Sequence, residues 1–167
     1  MSNVITQIGQ DIDGEATYDY NGWSVSLSSD GTIVAINAFY NDDNGNDSGH
    51  VRIYQYSGNS WSQIGQDIDG ESANDLTHSV SLSSDGTIVA IGAYMNDGVN
   101  GLDSGHVRIF QYIENTWTQL GDDIDGEAPG DENGYSVSLS ANGFTVAIGA
   151  RYHDGNGSNS GRVRIFQ

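Results

Sequence analysis

Three short acidic segments carry the side chains best suited to hold a metal ion. Each places four carboxylates within nine residues around a glycine, and the spacing from the first segment to the second equals that from the second to the third. Their members are Asp11, Asp13, Glu15 and Asp19; Asp67, Asp69, Glu71 and Asp75; and Asp123, Asp125, Glu127 and Asp131. Carboxylate oxygens are the ligands that Ca²⁺ prefers, so calcium binding is one expectation. The alternative is that these side chains accept backbone N–H bonds and shape the turns.

Three of the five basic residues occupy one position that recurs along the chain. They are Arg52, Arg108 and Arg164, in a sequence without lysine. A guanidinium group binds a carboxylate through two parallel hydrogen bonds. We therefore expect each arginine to pair structurally with an aspartate of its own or a neighbouring repeat, and the alternative is a role in clamping a ligand.

The remaining candidates are single aromatic and histidine side chains. Trp61 and Trp117 share a position that Ile5 fills in the first repeat, which favours apolar filling over a sugar-binding platform. His50 and His106 correspond to Arg162 in the third repeat. Scattered histidines do not predict a metal site, because binding needs convergent ligands at workable spacing. No Ser/His/Asp set recurs in the repeats, so the sequence predicts no enzyme.

The charge balance restricts the class of partner. There are 23 acidic residues against five arginines, which gives a formal net charge of −18. Because nucleic-acid binding depends on neutralising phosphates with basic residues, nucleic acid is not an expected partner. There is no cysteine, no stretch typical of a signal peptide, and no apolar run of the ~18 residues that a membrane span needs.

The sequence is a threefold repeat, since Ile8–Gly14 recurs 56 residues later at Ile64–Gly70 and, in altered form, a further 56 residues later at Leu120–Gly126. The thirteen letters SVSLSSDGTIVAI at Ser24–Ile36 recur unchanged at Ser79–Ile91 and in altered form at Ser136–Ile148. The chain of 167 residues is thus expected to form a single repeat domain, 1–167, with approximate repeats 1–57, 58–113 and 114–167.

Every repeat has the pattern of β-strands. Runs of four to eight residues rich in Val, Ile, Thr and aromatics alternate with Gly, Asn and Asp. In the second repeat these are Trp61–Ile64, Ser79–Ser83, Thr87–Ile91 and His106–Tyr112, and the dipeptide Asp85-Gly86 predicts a tight two-residue hairpin loop. Four antiparallel strands per repeat, apolar on both faces, predict an all-β fold of the β-propeller type, with each repeat contributing a four-stranded blade.

The letters at the strand ends resemble those of FG-GAP repeats, the repeats of integrin-α-like propellers. The resemblance rests on Asn133–Leu139, Ile148–Ala150 and Ser160–Phe166, and the order of strands is similar to that of WD repeats. The Phe-Gly position reads Asn21-Gly22 and Asn133-Gly134, and it is lost at Leu76-Thr77. The calcium loop of the family is reduced to Asp30-Gly31, Asp85-Gly86 and Asn142-Gly143, so the family's calcium site is not expected there.

The resemblance implies a binding or adhesion module, typically extracellular or at the cell surface, without catalysis of its own. The expected function is therefore a non-enzymatic module that binds protein partners or builds an assembly. The alternative is a glycan-binding, lectin-like propeller with a pocket between each pair of blades.

Three blades are too few for a ring, since propellers typically have four to eight. The chain starts with an outer-strand run, Ile5–Ile8, and finishes with the third-strand run Val163–Gln167. This predicts a six-bladed homodimer, closed when each chain's first run completes the last blade of the other. The rival expectation is a segment of a longer array whose ring is completed by further repeats.

Overall fold

The structure is a computed structural model that describes residues 5–167. These residues form thirteen β-strands and no helix, and hence no helix of a length and apolarity that would cross a membrane. The strands are β1 Asn21–Leu27, β2 Ile33–Ala38, β3 His50–Ser57, β4 Ser60–Gln63, β5 Ile68–Asp69, β6 Thr77–Leu82, β7 Ile88–Ala93, β8 His106–Ile113, β9 Thr116–Gln119, β10 Ile124–Asp125, β11 Asn133–Leu139, β12 Val146–Ala150 and β13 Arg162–Phe166.

The strands build three antiparallel sheets with one repeated order. Sheet 1 runs β1-β2-β3, and β4 and β5 both pair with the outer edge of β3. Sheet 2 repeats this order with β6 to β10, and sheet 3 contains β11-β12-β13. Because β4 and β5 belong to the second sequence repeat but pair with the first sheet, the sheets are displaced from the sequence repeats by these two short strands.

The apolar core lies between successive sheets. Val51 and Ile53 of sheet 1 are fully buried in one cluster with Val80 and Leu82 of sheet 2. A second cluster joins sheet 2 to sheet 3 around Ile148. The middle strands β2 and β7 are buried at every position, because each has a neighbouring strand on both edges and apolar residues on both faces.

Serine hydroxyls on the first strand of one sheet bind backbone amides on the first strand of the next. The amide of Val80 donates to Ser24 Oγ (3.2 Å), and that of Leu82 donates to Ser26 Oγ (3.0 Å). The amide of Leu139 donates in the same way to Ser81 Oγ (2.9 Å). The alternation of serine with Val and Leu in these strands therefore supplies hydrogen bonds as well as small volume between the sheets.

The prediction of a two-residue hairpin loop at Asp85-Gly86 was wrong. Five residues, 83–87, separate β6 from β7, and only Gly86 has a positive φ, at 73°. Asp85 Oδ1 instead accepts hydrogen bonds from the Ser83 hydroxyl and from both the amide and the hydroxyl of Thr87 (2.7, 3.0 and 2.8 Å). These bonds hold the pKa of Asp85 below its usual range, the Ser83 hydroxyl contributing most. Asp85 has the turn-forming role that Asp commonly has in loops.

Candidate functional site

A glutamate–arginine contact recurs at each step along the chain. Glu15 lies 2.7 Å from Arg52, Glu71 lies 3.5 Å from Arg108, and Glu127 lies 3.3 Å from Arg164. The separation along the sequence is the same in all three pairs, and the arginine lies on the third strand of the sheet that follows the glutamate. These contacts tie each acidic segment to the next sheet.

The three arginines have different further partners. Arg52 contacts Asp67 Oδ2 at 2.5 Å, and this hydrogen bond is the main reason that the pKa of Asp67 is lowered. Arg108, which is buried, donates to the backbone carbonyl of Asp69 at 2.6 Å, and Arg164 donates to that of Asp125. An aspartate carboxylate is thus the partner of Arg52 alone, since Arg108 and Arg164 use glutamates and backbone carbonyls.

The last aspartate of each acidic segment is buried and binds backbone amides. Asp19, Asp75 and Asp131 accept the amide three residues earlier, at 3.2, 2.9 and 3.2 Å. The same carboxylates also meet a polar side chain of the loop after the second strand, namely Asn41, Asn96 and His153 respectively. These aspartates therefore link two loops of the same sheet, as the turn-forming alternative predicted.

The other members of the acidic segments lie apart from one another. Asp11, Asp67 and Asp123 each accept a hydrogen bond from the glutamine four residues earlier (2.8, 2.5 and 2.7 Å). Asp69 and Asp125 lie in β5 and β10, where burial is the main cause of their raised pKa. In the described residues no four carboxylates of one segment, Asp13 and Glu15 included, form a potential ligand group. Calcium binding by these segments stays a prediction.

Acidic residues of two successive segments instead meet at a histidine. In sheet 2, Glu71 and Asp123 lie beside His106, and in sheet 1, Glu15, Asp43 and Asp67 lie beside His50. His106 Nδ1 is 3.6 Å from an oxygen of Asp123 and 3.8 Å from an oxygen of Glu71. Burial, aided by the charge of Arg108, lowers the pKa of His106 to about 4. The imidazole is therefore neutral at pH 7, the form that binds metal ions.

Aromatic rings form a strip across the three sheets, which the sequence analysis did not identify. In each sheet the residue after the Phe-Gly position meets the residue at the end of the second strand. Trp23 stacks on Phe39 (centroids 4.8 Å apart), His78 meets Tyr94 (5.0 Å), and the Arg151 guanidinium lies 3.9 Å from the Tyr135 centroid. Contacts between His78 and Tyr135 and between Trp23 and His78 join the sheets into one strip. The signal in the sequence was an aromatic ring at the first position in all three repeats and at the second position in two of them.

The two tryptophans of the outer strands are not part of that strip. Trp117 is 3% exposed, and its indole N–H donates to the carbonyl of Ile64 (2.9 Å). Trp61 makes the equivalent bond to the carbonyl of Ile8 (3.1 Å) and packs under Gly9. Both side chains fill space between successive outer strands.

The family model for the FG-GAP repeat matches two parts of the sequence, residues 12–54 and 124–166, which together are just over half of the chain. The chain belongs to the FG-GAP repeat family. The middle of this FG-GAP chain, where the Phe-Gly position reads Leu76-Thr77, lies outside the matched ranges. The family resemblance and the all-β fold that the sequence predicted are thereby confirmed.

Among solved structures, the FG-GAP chain is similar to the periplasmic gluconolactonase PpgL of Pseudomonas aeruginosa. The sequence identity is 14% and the TM-score is 0.43. The match covers 86% of this chain but only 56% of that protein. A search among curated protein sequences gave no match.

Proposed function

We propose that this chain is a non-enzymatic β-propeller module whose end surfaces bind further blades of the same kind, the occupant being a second copy of the chain. One observation carries the proposal. Positions that are buried where two sheets pack together are exposed at the equivalent places in the first and the last sheet. Each of the three sheets is then one blade, and two chains make a six-bladed ring, within the usual range of four to eight.

The first surface is the outward face of sheet 1. Val25 and Leu27 are 60% and 59% exposed. The corresponding residues of sheet 2, Val80 and Leu82, are each only 7% exposed because they pack against sheet 1. Sheet 1 thus presents to solvent the same Val-Ser-Leu pattern that sheet 2 buries.

The second surface is the outward face of sheet 3. Val163 and Ile165 are 67% and 71% exposed, whereas their counterparts in sheet 1, Val51 and Ile53, are fully buried. The free face of sheet 3 is equivalent to the face of sheet 1 that packs on sheet 2. It can therefore pack on the free face of sheet 1 of a second chain in the same way. Such a head-to-tail fit closes into a ring when two chains meet through both surfaces.

The edge of β13 provides a third complementary feature. Residues 5–8 form no strand in the single chain, but the segment that follows is already placed beside sheet 1. Gln10 exchanges two hydrogen bonds with the backbone of Trp61 (2.9 and 3.1 Å), as Gln66 does with Trp117 (2.8 and 3.0 Å). This segment therefore occupies the position of an outer strand belonging to a preceding sheet.

The register of that pairing follows from the repeat. Val51 pairs with Ile68 in sheet 1, and Val107 pairs with Ile124 at the equivalent place in sheet 2. By the same spacing, Ile12 of a second copy would pair with Val163. In the described part of the chain β13 has no strand on this edge, and unpaired edges favour strand addition.

Light scattering tests the proposed assembly. We expect a dimer of about 36 kDa, twice the 17.8 kDa chain, that persists over a hundredfold range of concentration. A shortened chain that starts at residue 14 lacks the strand that pairs with β13, and it should shift toward the monomer. A wild-type chain that stays monomeric over that range and melts cooperatively would contradict the proposal.

A glycan-binding function is the second candidate, and the aromatic strip favours it. Trp23 is 53% exposed, and amphipathic rings of this kind serve as anchors in binding surfaces. If the strip binds sugars, a glycan array should show saturable binding that Trp23→Ala weakens at least about tenfold. Phe144→Ala is the control, since Phe144 is 68% exposed and has no contact within the strip. An array without any binding would contradict the glycan-binding function, and assembly would remain as the proposed function.

A further inference from the structure

A histidine and two carboxylates are brought together twice with identical spacing. Glu15, His50 and Asp67 form one set, and Glu71, His106 and Asp123 form the other. In both sets the histidine follows the glutamate and precedes the aspartate along the chain, and each interval is the same in the two sets. Each glutamate comes from one acidic segment and each aspartate from the next, so the histidine lies where two repeats meet.

The distances in the second set suit a small cation better than direct hydrogen bonds. His106 Nδ1 is 3.6 and 3.8 Å from the two carboxylate oxygens, beyond ordinary hydrogen-bond length. Ligand bonds of about 2.0–2.2 Å at tetrahedral angles separate neighbouring ligand atoms by roughly 3.3–3.6 Å. The two distances from His106 Nδ1 are therefore within a few tenths of an ångström of those around a bound ion, and all three ligand atoms lie within 4.8 Å of one another.

The histidines have buried nitrogen atoms that lack partners. His50 and His106 are 2% and 1% exposed. Among the described residues, His50 Nδ1 and His106 Nε2 have no hydrogen-bond partner, and His50 Nδ1 faces an oxygen of Asp43 at 3.7 Å. A buried polar atom without a partner is unfavourable. Ligation at Nδ1 would satisfy the unpartnered atom of His50. In His106 it would leave Nε2 as it is, but it would give the buried ring a ligand bond at Nδ1, where the described residues offer no hydrogen bond.

We propose that Glu71, His106 and Asp123 bind a divalent transition-metal ion of the Zn²⁺ class. One imidazole nitrogen with two carboxylate oxygens is a ligand set for zinc rather than for calcium, which takes six to eight oxygens. Three protein ligands leave a fourth position for water. Arg108 makes no short contact with these carboxylates that a metal ion would have to break. Its short hydrogen bond goes to the Asp69 carbonyl, and Glu71 is 3.5 Å away.

The equivalent positions in the rest of the chain are less favourable. In the first set, Arg52 lies within 2.7 Å of both Glu15 and Asp67, so a cation would have to displace a guanidinium group. In the third repeat the histidine is replaced by Arg162, which binds Glu127 at 2.6 Å. We therefore expect one tight ion per chain rather than three.

The test is a calorimetric Zn²⁺ titration of the untagged chain, with parallel Ca²⁺ and Mg²⁺ titrations. The wild type should take up one Zn²⁺ per chain at micromolar concentration, at least about 100-fold more tightly than Ca²⁺. His106→Gln should weaken this binding at least about 100-fold, since even outer-shell partners of a metal contribute 10–100-fold. His50→Gln is the matched control at the equivalent position and should retain the tight ion.

A second variant protects the test against misfolding. Glu71→Gln changes a side chain that is 42% exposed, and it should weaken Zn²⁺ binding while preserving the circular dichroism spectrum of the wild type. The proposal is overturned if the wild type binds no Zn²⁺ at these concentrations, or if it binds Ca²⁺ more tightly. It is equally overturned if folded Glu71→Gln binds as the wild type does, or if His50→Gln rather than His106→Gln loses the ion.

Discussion

Replacing Val163 by aspartate is expected to convert the proposed dimer into a 17.8 kDa monomer. Val163 is 67% exposed in the single chain, so the substitution should leave the fold intact. In the dimer it would be as buried as its counterparts Val51 and Val107, which are both 0% exposed. An unpaired carboxylate on such a surface costs at least ~3 kcal/mol, or more than ~100-fold in the dissociation constant.

The matched control for this prediction is Val99→Asp. Val99 is 88% exposed in the loop between β7 and β8, so the same chemical change occurs far from both end surfaces. Sedimentation velocity should give a dimer for the control and a monomer for Val163→Asp, and the two variants should have the same far-UV circular dichroism spectrum. If both variants sediment alike, the face of sheet 3 is not the surface that associates.

Gly105→Ala is expected to destabilise the fold severely. Gly105 has φ of 71°, and a Cβ there would lie 2.2 Å from the carbonyl oxygen of Asn133, at the junction of sheets 2 and 3. The methyl group would add this clash to the cost of a left-handed backbone, about 1–2 kcal/mol for a residue other than glycine. We expect a total loss of roughly 4 kcal/mol or more in the free energy of unfolding, a large part of what a domain has.

The control separates the clash from the backbone strain. Gly121 has a nearly identical φ of 69°, with no atom within 4 Å of the place where a methyl group would lie. Gly121→Ala should therefore lose only about 1–2 kcal/mol. Thermal and urea unfolding of the two variants measure the difference, and equal losses would show that the contact with Asn133 is not limiting.

Most of the fold could be predicted because each repeat forms the same strands and packs them against the next sheet. The threefold repeat identified the strands, and the runs at Ser79–Ser83 and His106–Tyr112 agree closely with β6 and β8. The loop at Asp85-Gly86 was wrong because two letters do not reveal that Asp85 organises hydroxyl and amide donors on both sides of it. Turn geometry there depends on side-chain hydrogen bonds rather than on glycine alone.

The candidate site was harder to predict because its members come from different repeats. Reading each acidic segment as a unit suggested four-carboxylate groups, whereas the structure brings Glu71 to Asp123 across a repeat boundary. His50 and His106 were not assigned to metal binding, because the sequence shows them as scattered histidines without convergent ligands. The identical spacing of glutamate, histidine and aspartate in two repeats was the available signal. That these residues meet in space becomes visible only once the sheets are stacked.

The displacement between sheet and repeat has a consequence for how such a chain can change over time. The second and third sequence repeats each contribute two short outer strands to one sheet and three strands to the next. An in-frame duplication or deletion of one repeat therefore recreates junctions that the protein already uses, including the serine–amide bonds and the glutamate–arginine contacts. The array can lengthen or shorten in whole units without a new kind of interface between sheets.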